Sequence, residues 1–224
     1  MKRVLLCTML FSATIISAQE QGDDKLTIEK GTWVAAGSLS LRNEAGESSF
    51  SDENFTQNSD RDVFSIAFFP RVGYAFGENW IVGALVSYSL TRSDNESVNN
   101  THGVINNESK FERVSLSPYV RRYFGITKNL ALYAQGEAGV SRGWTEDTRD
   151  NEDRRTSTQN GFFVNLRPGI SFFASKNLAF ESSIGVLGYS FEDSENSFGN
   201  EAESGVFNLN VNSTNLLFGL SYFF

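Results

Sequence analysis

Five charged residues interrupt otherwise apolar, alternating stretches of this 224-residue chain: Arg71, Arg121, Arg167, Glu137 and Glu181. An isolated ion sealed inside a protein costs several kcal/mol, so each of these arginines needs an acid within reach. Glu137 and Glu181 fall on the stretches that flank the one carrying Arg167, and Glu137 also lies on the stretch that pairs with that of Arg121. Their chemistry is ion pairing, and the expected role is a structural charge network in a lumen. The functional alternative is a gate or a narrow ion path. No catalytic, metal or cofactor site is expected. The single histidine, His102, could serve a hydroxyl as a base. However, Ser93, Ser97 and Ser109 stand at no fixed spacing from it, and a solvated histidine in a polar loop is the expected role. Clustered acids such as Glu146, Asp147, Asp150, Glu152 and Asp153 could attract a hard cation, but they lack the spacing of a calcium loop.

Composition narrows the field further. One Cys and one His exclude a multi-Cys/His zinc site and a disulfide framework. The net charge of -8 argues against a nucleic-acid partner, which needs a basic face. A mean hydropathy of -0.28 excludes a bundle of membrane helices. Residues 1–18, MKRVLLCTMLFSATIISA, read as a secretory signal peptide: Lys2 and Arg3 open it, an apolar run follows, and Ser17-Ala18 offer a small-residue cleavage site. Cleavage would remove the only cysteine and leave 17 basic against 27 acidic residues, a net charge of -10. A short periplasmic segment at 19–30 and a single barrel domain at 31–224 are expected to follow.

The elements that must position the five charges show themselves as a repeat. Pro70 to Trp80, Pro118 to Leu130 and Pro168 to Leu178 each run from proline through an aromatic stretch to a polar turn ending in Asn, then restart as apolar. The prolines stand 48 and 50 residues apart and are all the prolines in the chain. The unit reads as a β-hairpin with a short turn. Period-two alternation supports strands. Trp80, Val82, Ala84, Val86 and Tyr88 share one face; Leu130, Leu132, Ala134 and Val140 share another; Leu178, Phe180, Ile184 and Val186 a third. The incoming strands give Phe64, Ile66, Phe68, Pro70 and Val72, then Val114, Leu116 and Val120, then Phe162, Val164, Leu166 and Ile170. With a first strand running from near Trp33 to Leu41 and a last one ending at Phe224, the count is eight. Polar stretches at about 43–62, 92–110, 143–160 and 192–205 read as long loops, the fourth holding Glu192, Asp193, Glu195, Glu201 and Glu203 without a base. Phe207, Leu209 and Val211 fall out of phase with Leu216 onward, which a bulge within 212–215 would reconcile.

Face chemistry then chooses the solvent. One face is apolar; the other carries Arg71, Arg121, Arg167, Glu137, Glu181, Gln135 and Asn165, too polar for the apolar lumen of a soluble barrel. Directing the apolar face to lipid lets the charges pair inside, and a closed sheet leaves no unpaired edge in hydrocarbon. Tyr74, Phe76, Trp80, Tyr123, Phe124, Phe172 and Phe173 cluster near the turns, as rings do at a membrane boundary. Arg122 breaks the apolar face but lies near a strand end, from which it can snorkel. The expected fold is all-β: an eight-stranded antiparallel up-and-down transmembrane β-barrel, with short periplasmic turns and long extracellular loops.

At Gly73-Tyr74-Ala-Phe76, Ser117-Pro118-Tyr-Val-Arg121, Arg167-Pro168-Gly169-Ile170 and the ending Phe218-Gly-Leu-Ser-Tyr-Phe-Phe224, the chain resembles the outer-membrane β-barrel family common in Bacteroidota, similar in architecture to small OmpA/OmpX-type barrels. The resemblance spans most of residues 30–224. It implies an integral outer-membrane protein, loosely termed porin-like, and no active site. It also implies that Leu216, Phe218, Leu220, Tyr222 and Phe224 form a C-terminal signal for the barrel-assembly machinery. The implied partners are outer-membrane lipid, that machinery, and an extracellular partner reached through the acidic loops. The first function expected is a non-enzymatic structural or surface-interaction protein. The alternatives are an outer-rim lipid A-modifying enzyme and a narrow channel.

Overall fold

The structure is a computed structural model that describes residues 25–52, 55–99, 103–149, 155–183, 185–196, 201–210 and 217–224. The expected signal peptide, His102 and Leu216 lie outside the described residues.

The described residues form ten strands: β1 (Trp33–Asp52), β2 (Phe55–Gly77), β3 (Trp80–Asn99), β4 (Gly103–Gly125), β5 (Leu130–Arg149), β6 (Arg155–Phe173), β7 (Leu178–Ser183), β8 (Val186–Asn196), β9 (Glu201–Asn210) and β10 (Leu217–Phe223). Every pairing among them is antiparallel, and the order β5-β4-β3-β2-β1-β10-β7-β6 is joined end to end by pairing between β5 and β6. The sheet therefore closes on itself. β7 and β8 both pair with β6 and share one stave of the wall; β9 pairs with β8 and β10 with β7. The described strands thus make a ring of eight staves, two of them interrupted.

The first interruption overturns one phase expectation. Gly185 has φ +76°, a conformation open to glycine, and the alternation shifts there by one residue. Leu178 and Phe180 point outward on β7, but on β8 it is Leu187 and Tyr189 that do so; Val186 belongs to the inner face. The second phase shift is present as well, since Tyr189 and Leu187 pair with Phe207 and Leu209, whereas the outward residues of β10 are Phe218, Leu220 and Tyr222. The residues between the two runs lie outside the described ones.

The expected long loops are largely strand. β1 to β6 run 19 to 23 residues, and the β3–β4 ladder continues unbroken from Trp80↔Arg122 to Asn99↔Gly103. Polar composition does not end a ladder. Once register is set, each further residue adds backbone hydrogen bonds, and Ser and Thr hydroxyls pair across strands, as Ser65 does with Thr91 at 3.0 Å and Ser59 with Ser97 at 3.3 Å. The described residues of the stretches at 43–62, 92–110 and 143–160 thus form paired strands, the arms of tall hairpins that continue the wall.

At the opposite end the turns are tight, and the sequence repeat has a structural basis. In the turn at 126–129 the Thr127 hydroxyl accepts from the N–H groups of Asn129 and Leu130; in the turn at 174–177 the Ser175 hydroxyl accepts from Asn177 and Leu178. The carbonyl of each turn asparagine then accepts the N–H of an aromatic residue on the next incoming strand: Asn79 from Tyr123 at 2.9 Å, Asn129 from Phe173 at 2.7 Å and Asn177 from Phe223 at 2.7 Å. Asn79 also adopts φ +61°, which asparagine tolerates better than most side chains. Trp33 and Phe224 exchange backbone hydrogen bonds at 2.8 and 2.9 Å, so the first and last staves meet at this same end.

Candidate functional site

Closure gives the wall two faces of opposite chemistry. Val82, Leu132 and Ile170 are 45%, 47% and 37% exposed, and Phe68, Leu116, Leu166 and Phe218 share that outer face. The outer band is bordered by rings at both ends. Trp33 and Tyr74 pack at 5.1 Å and Tyr222 and Phe224 at 6.1 Å at the turn end; Phe162 packs on Tyr189 and Phe191 toward the hairpin end. Phe162 and Phe172 lie ten residues apart on β6, about 33 Å of strand, which a tilt of about 40° shortens to about 25 Å. Arg122 lies within this outer face at the turn end, its guanidinium 5.0 Å from the rings of both Trp80 and Phe124.

The inner face is layered. At the turn end lies an apolar plug of Tyr123, Phe173, Phe223, Tyr133, Ile81 and Val34. Tyr123 and Phe173 are 2% and 3% exposed, so they fill the lumen and do not join the outer rings, contrary to their expected place at a boundary. Phe173 and Phe223 approach to 5.1 Å and Tyr123 and Tyr133 to 5.9 Å. Glycines on neighbouring strands make room for the larger rings. A Cβ on Gly169 would sit 2.2 Å from the Tyr133 ring, and one on Gly83 would sit 2.7 Å from Tyr119. The segment before β1 closes the plug from below. Ile28 is buried in the cluster, its N–H donates to Asn79 Oδ1 at 2.8 Å, and its carbonyl accepts from the Asn79 N–H at 3.0 Å.

Above the plug the five charges form one continuous network. Glu181, 4% exposed, accepts from Arg71, from Arg121 Nη1 at 2.8 Å and from the Tyr123 hydroxyl at 2.9 Å. Arg71 also donates to Ser38 Oγ at 3.0 Å and Ser221 Oγ at 3.2 Å. Arg121 donates from Nε and Nη2 to Gln135 Oε1 at 2.9 and 2.6 Å, and its guanidinium lies 4.0 Å from the Tyr133 ring. Gln135 passes the chain on to Glu137 at 2.9 Å. Glu137 then accepts from Asn165 at 3.0 Å and Arg167 Nε at 2.9 Å. The strands carrying Arg71 and Glu181, β2 and β7, are not neighbours in the ring, so their contact crosses the lumen.

A second ion pair lies nearer the hairpin end, where sequence reasoning placed none. Arg113 Nη2 reaches Glu192 at 2.7 Å and Gln159 at 3.3 Å. Arg113 could have been found, because it continues the inward alternation of Ser117, Tyr119 and Arg121 on β4. Glu192 could not, since it faces inward only because the phase shifts at Gly185. Of the expected C-terminal signal, Phe218, Leu220, Tyr222 and Phe224 all lie on the outer face. Among the described residues, no group of three or more His, Cys, Asp or Glu side chains could hold a metal ion.

The molecule defined by these features is a closed antiparallel β-barrel, apolar outside, with a lumen plugged by side chains at the turn end. No family model and no curated protein matches the chain. Among solved structures, it is similar to the outer membrane protein OprG from Pseudomonas aeruginosa, at 12% identity over 88% of this chain and 97% of that one, with a TM-score of 0.46. It is also similar to a major outer membrane protein from Thermus thermophilus, at 15% identity over 87% and 98%, TM-score 0.44. Ail, the attachment invasion locus protein of Yersinia pestis, is similar at 17% identity over 87% and 99%, TM-score 0.36.

Proposed function

We propose that the chain is an integral outer-membrane β-barrel protein of the Bacteroidota-type family, with a structural or surface-interaction role and no enzymatic one. The observation that carries this reading is the inversion of polarity. An apolar outer band about 25 Å high, edged by aromatic rings, encloses buried ions, an arrangement that suits hydrocarbon outside. Water outside would leave the whole band exposed, far beyond the apolar patches of soluble monomers. The lumen charges then act structurally: they cross-brace staves that share no backbone ladder. Eight staves leave an interior just wide enough for side chains, and here plug and network close its turn end, which supports a closed lumen over a channel. The outward Phe218 to Phe224 run suits recognition by the barrel-assembly machinery, and the acidic tall hairpins are the surface an extracellular partner would meet.

A compact barrel resists SDS until heated. The purified protein is expected to migrate faster unheated than boiled, with a β-sheet circular dichroism spectrum in detergent. Identical mobility and a spectrum without β-structure would overturn the reading.

A further inference from the structure

Above the charge network the lumen opens into a cavity of about 290 Å³, directed toward the tall hairpins and closed below by the plug. This is room for about ten water molecules. Arg71, Arg113, Arg121 and Arg167 line it, against Glu137 and Glu192. Counting Glu181, which holds Arg71 and Arg121, four cations face three anions. The chain as a whole is acidic, yet this cavity carries one positive charge in excess. Arg167 is where that excess is available. Its Nε is committed to Glu137, its two terminal nitrogens have no partner among the described residues, and its side chain is 23% exposed. A partly buried guanidinium with unused donors is a carboxylate-binding group. Nearer the hairpin end of the same cavity, Ser141 and Ser190 line the wall with hydroxyls that have no partner among the described residues.

We propose that this cavity is a dead-end binding site for a small hydroxylated monocarboxylate entering from the hairpin side. One negative charge balances the excess, the carboxylate takes the free Arg167 donors, and ligand hydroxyls meet the serines. The proposal rests on the closed barrel of the previous section.

The test uses gluconate, with glucitol as its uncharged counterpart, in equilibrium dialysis against the purified full chain in low-chloride detergent buffer. The heat-dependent mobility shift is measured first. Its absence counts against the barrel itself, whereas its presence confines any failure to the ligand site. Saturable binding of one gluconate per chain is expected, with glucitol weaker by about tenfold or more, as for a lost charge-assisted hydrogen bond. Arg167→Gln should weaken gluconate by a similar factor while leaving the mobility shift in place. If that variant fails to fold, Arg113→Gln serves in its stead, since it removes the excess charge from β4, two staves away in the ring. Arg122→Gln, on the outer face, should change nothing. Equal retention of gluconate and glucitol, no saturable gluconate binding, or binding that survives both lumen variants overturns the proposal.

Discussion

Replacing Glu181 with alanine is expected to lower the unfolding free energy by about 3–5 kcal/mol, the cost of leaving a buried charge without its partner. The loss is large because Glu181 is a hub. Its carboxylate takes donors from Arg71, Arg121 and Tyr123, so its removal strands two guanidinium groups at once in a site only a few per cent exposed. Serines at 38 and 221 remain to solvate Arg71, and Gln135 remains for Arg121, but none supplies negative charge. Urea titration of the refolded protein in lipid vesicles measures the effect. Arg121→Met added to Glu181→Leu should recover part of the loss, because a buried ion pair exchanged for apolar side chains is often neutral. A Glu181→Ala variant within about 1 kcal/mol of the parent would mean that the network is wet and screened.

Arginine at Leu166 should cost about 2–4 kcal/mol, the penalty for a cation on the lipid face of a barrel near the bilayer midplane. Leu166 lies on the outer face, about midway between the ring-bearing positions Phe162 and Phe172 of β6. The natural Arg122 is no counterexample. It sits opposite Trp80 at the turn end, where its guanidinium stacks on two rings and can reach a headgroup or water. The same vesicle titration distinguishes the positions: Leu166→Arg destabilises strongly, and Leu166→Ala much less. A Leu166→Arg variant as stable as the parent would place that face in water.

The ring and its polarity are legible in the sequence because period-two alternation survives in eight separate stretches, and because arginines 71, 121 and 167 each fall close to one of the repeated prolines on the face opposite the apolar residues. Their acidic partners are legible for the same reason. Other features are not. Tyr123 and Phe173 read as boundary rings because aromatic content near a turn says nothing about which face it serves; only strict alternation from Arg121 and Ser171 turns them inward. The inward turn of Glu192 depends on Gly185, and one glycine among several does not announce a positive φ. The tall hairpins read as loops because their Ser, Asn and acidic residues mark solvent contact, which an exposed ladder and an irregular loop share. The N-terminal segment's role in the plug is also hidden, since Leu26 and Ile28 make no pattern on their own.

The central claim is the direction each face points, and spin labels measure it. With Cys7 replaced by serine the chain has no cysteine, so single cysteines at Val82, Leu132 or Ile170, and at Gln135 or Ser171, take a nitroxide at one site each. In reconstituted vesicles, labels at the first three positions should collide freely with oxygen and little with a water-soluble nickel chelate, while those at the last two should be shielded from oxygen-rich lipid and immobilised. Lipid-like accessibility at Gln135 and Ser171, with water-like accessibility at Val82, Leu132 and Ile170, would contradict the account.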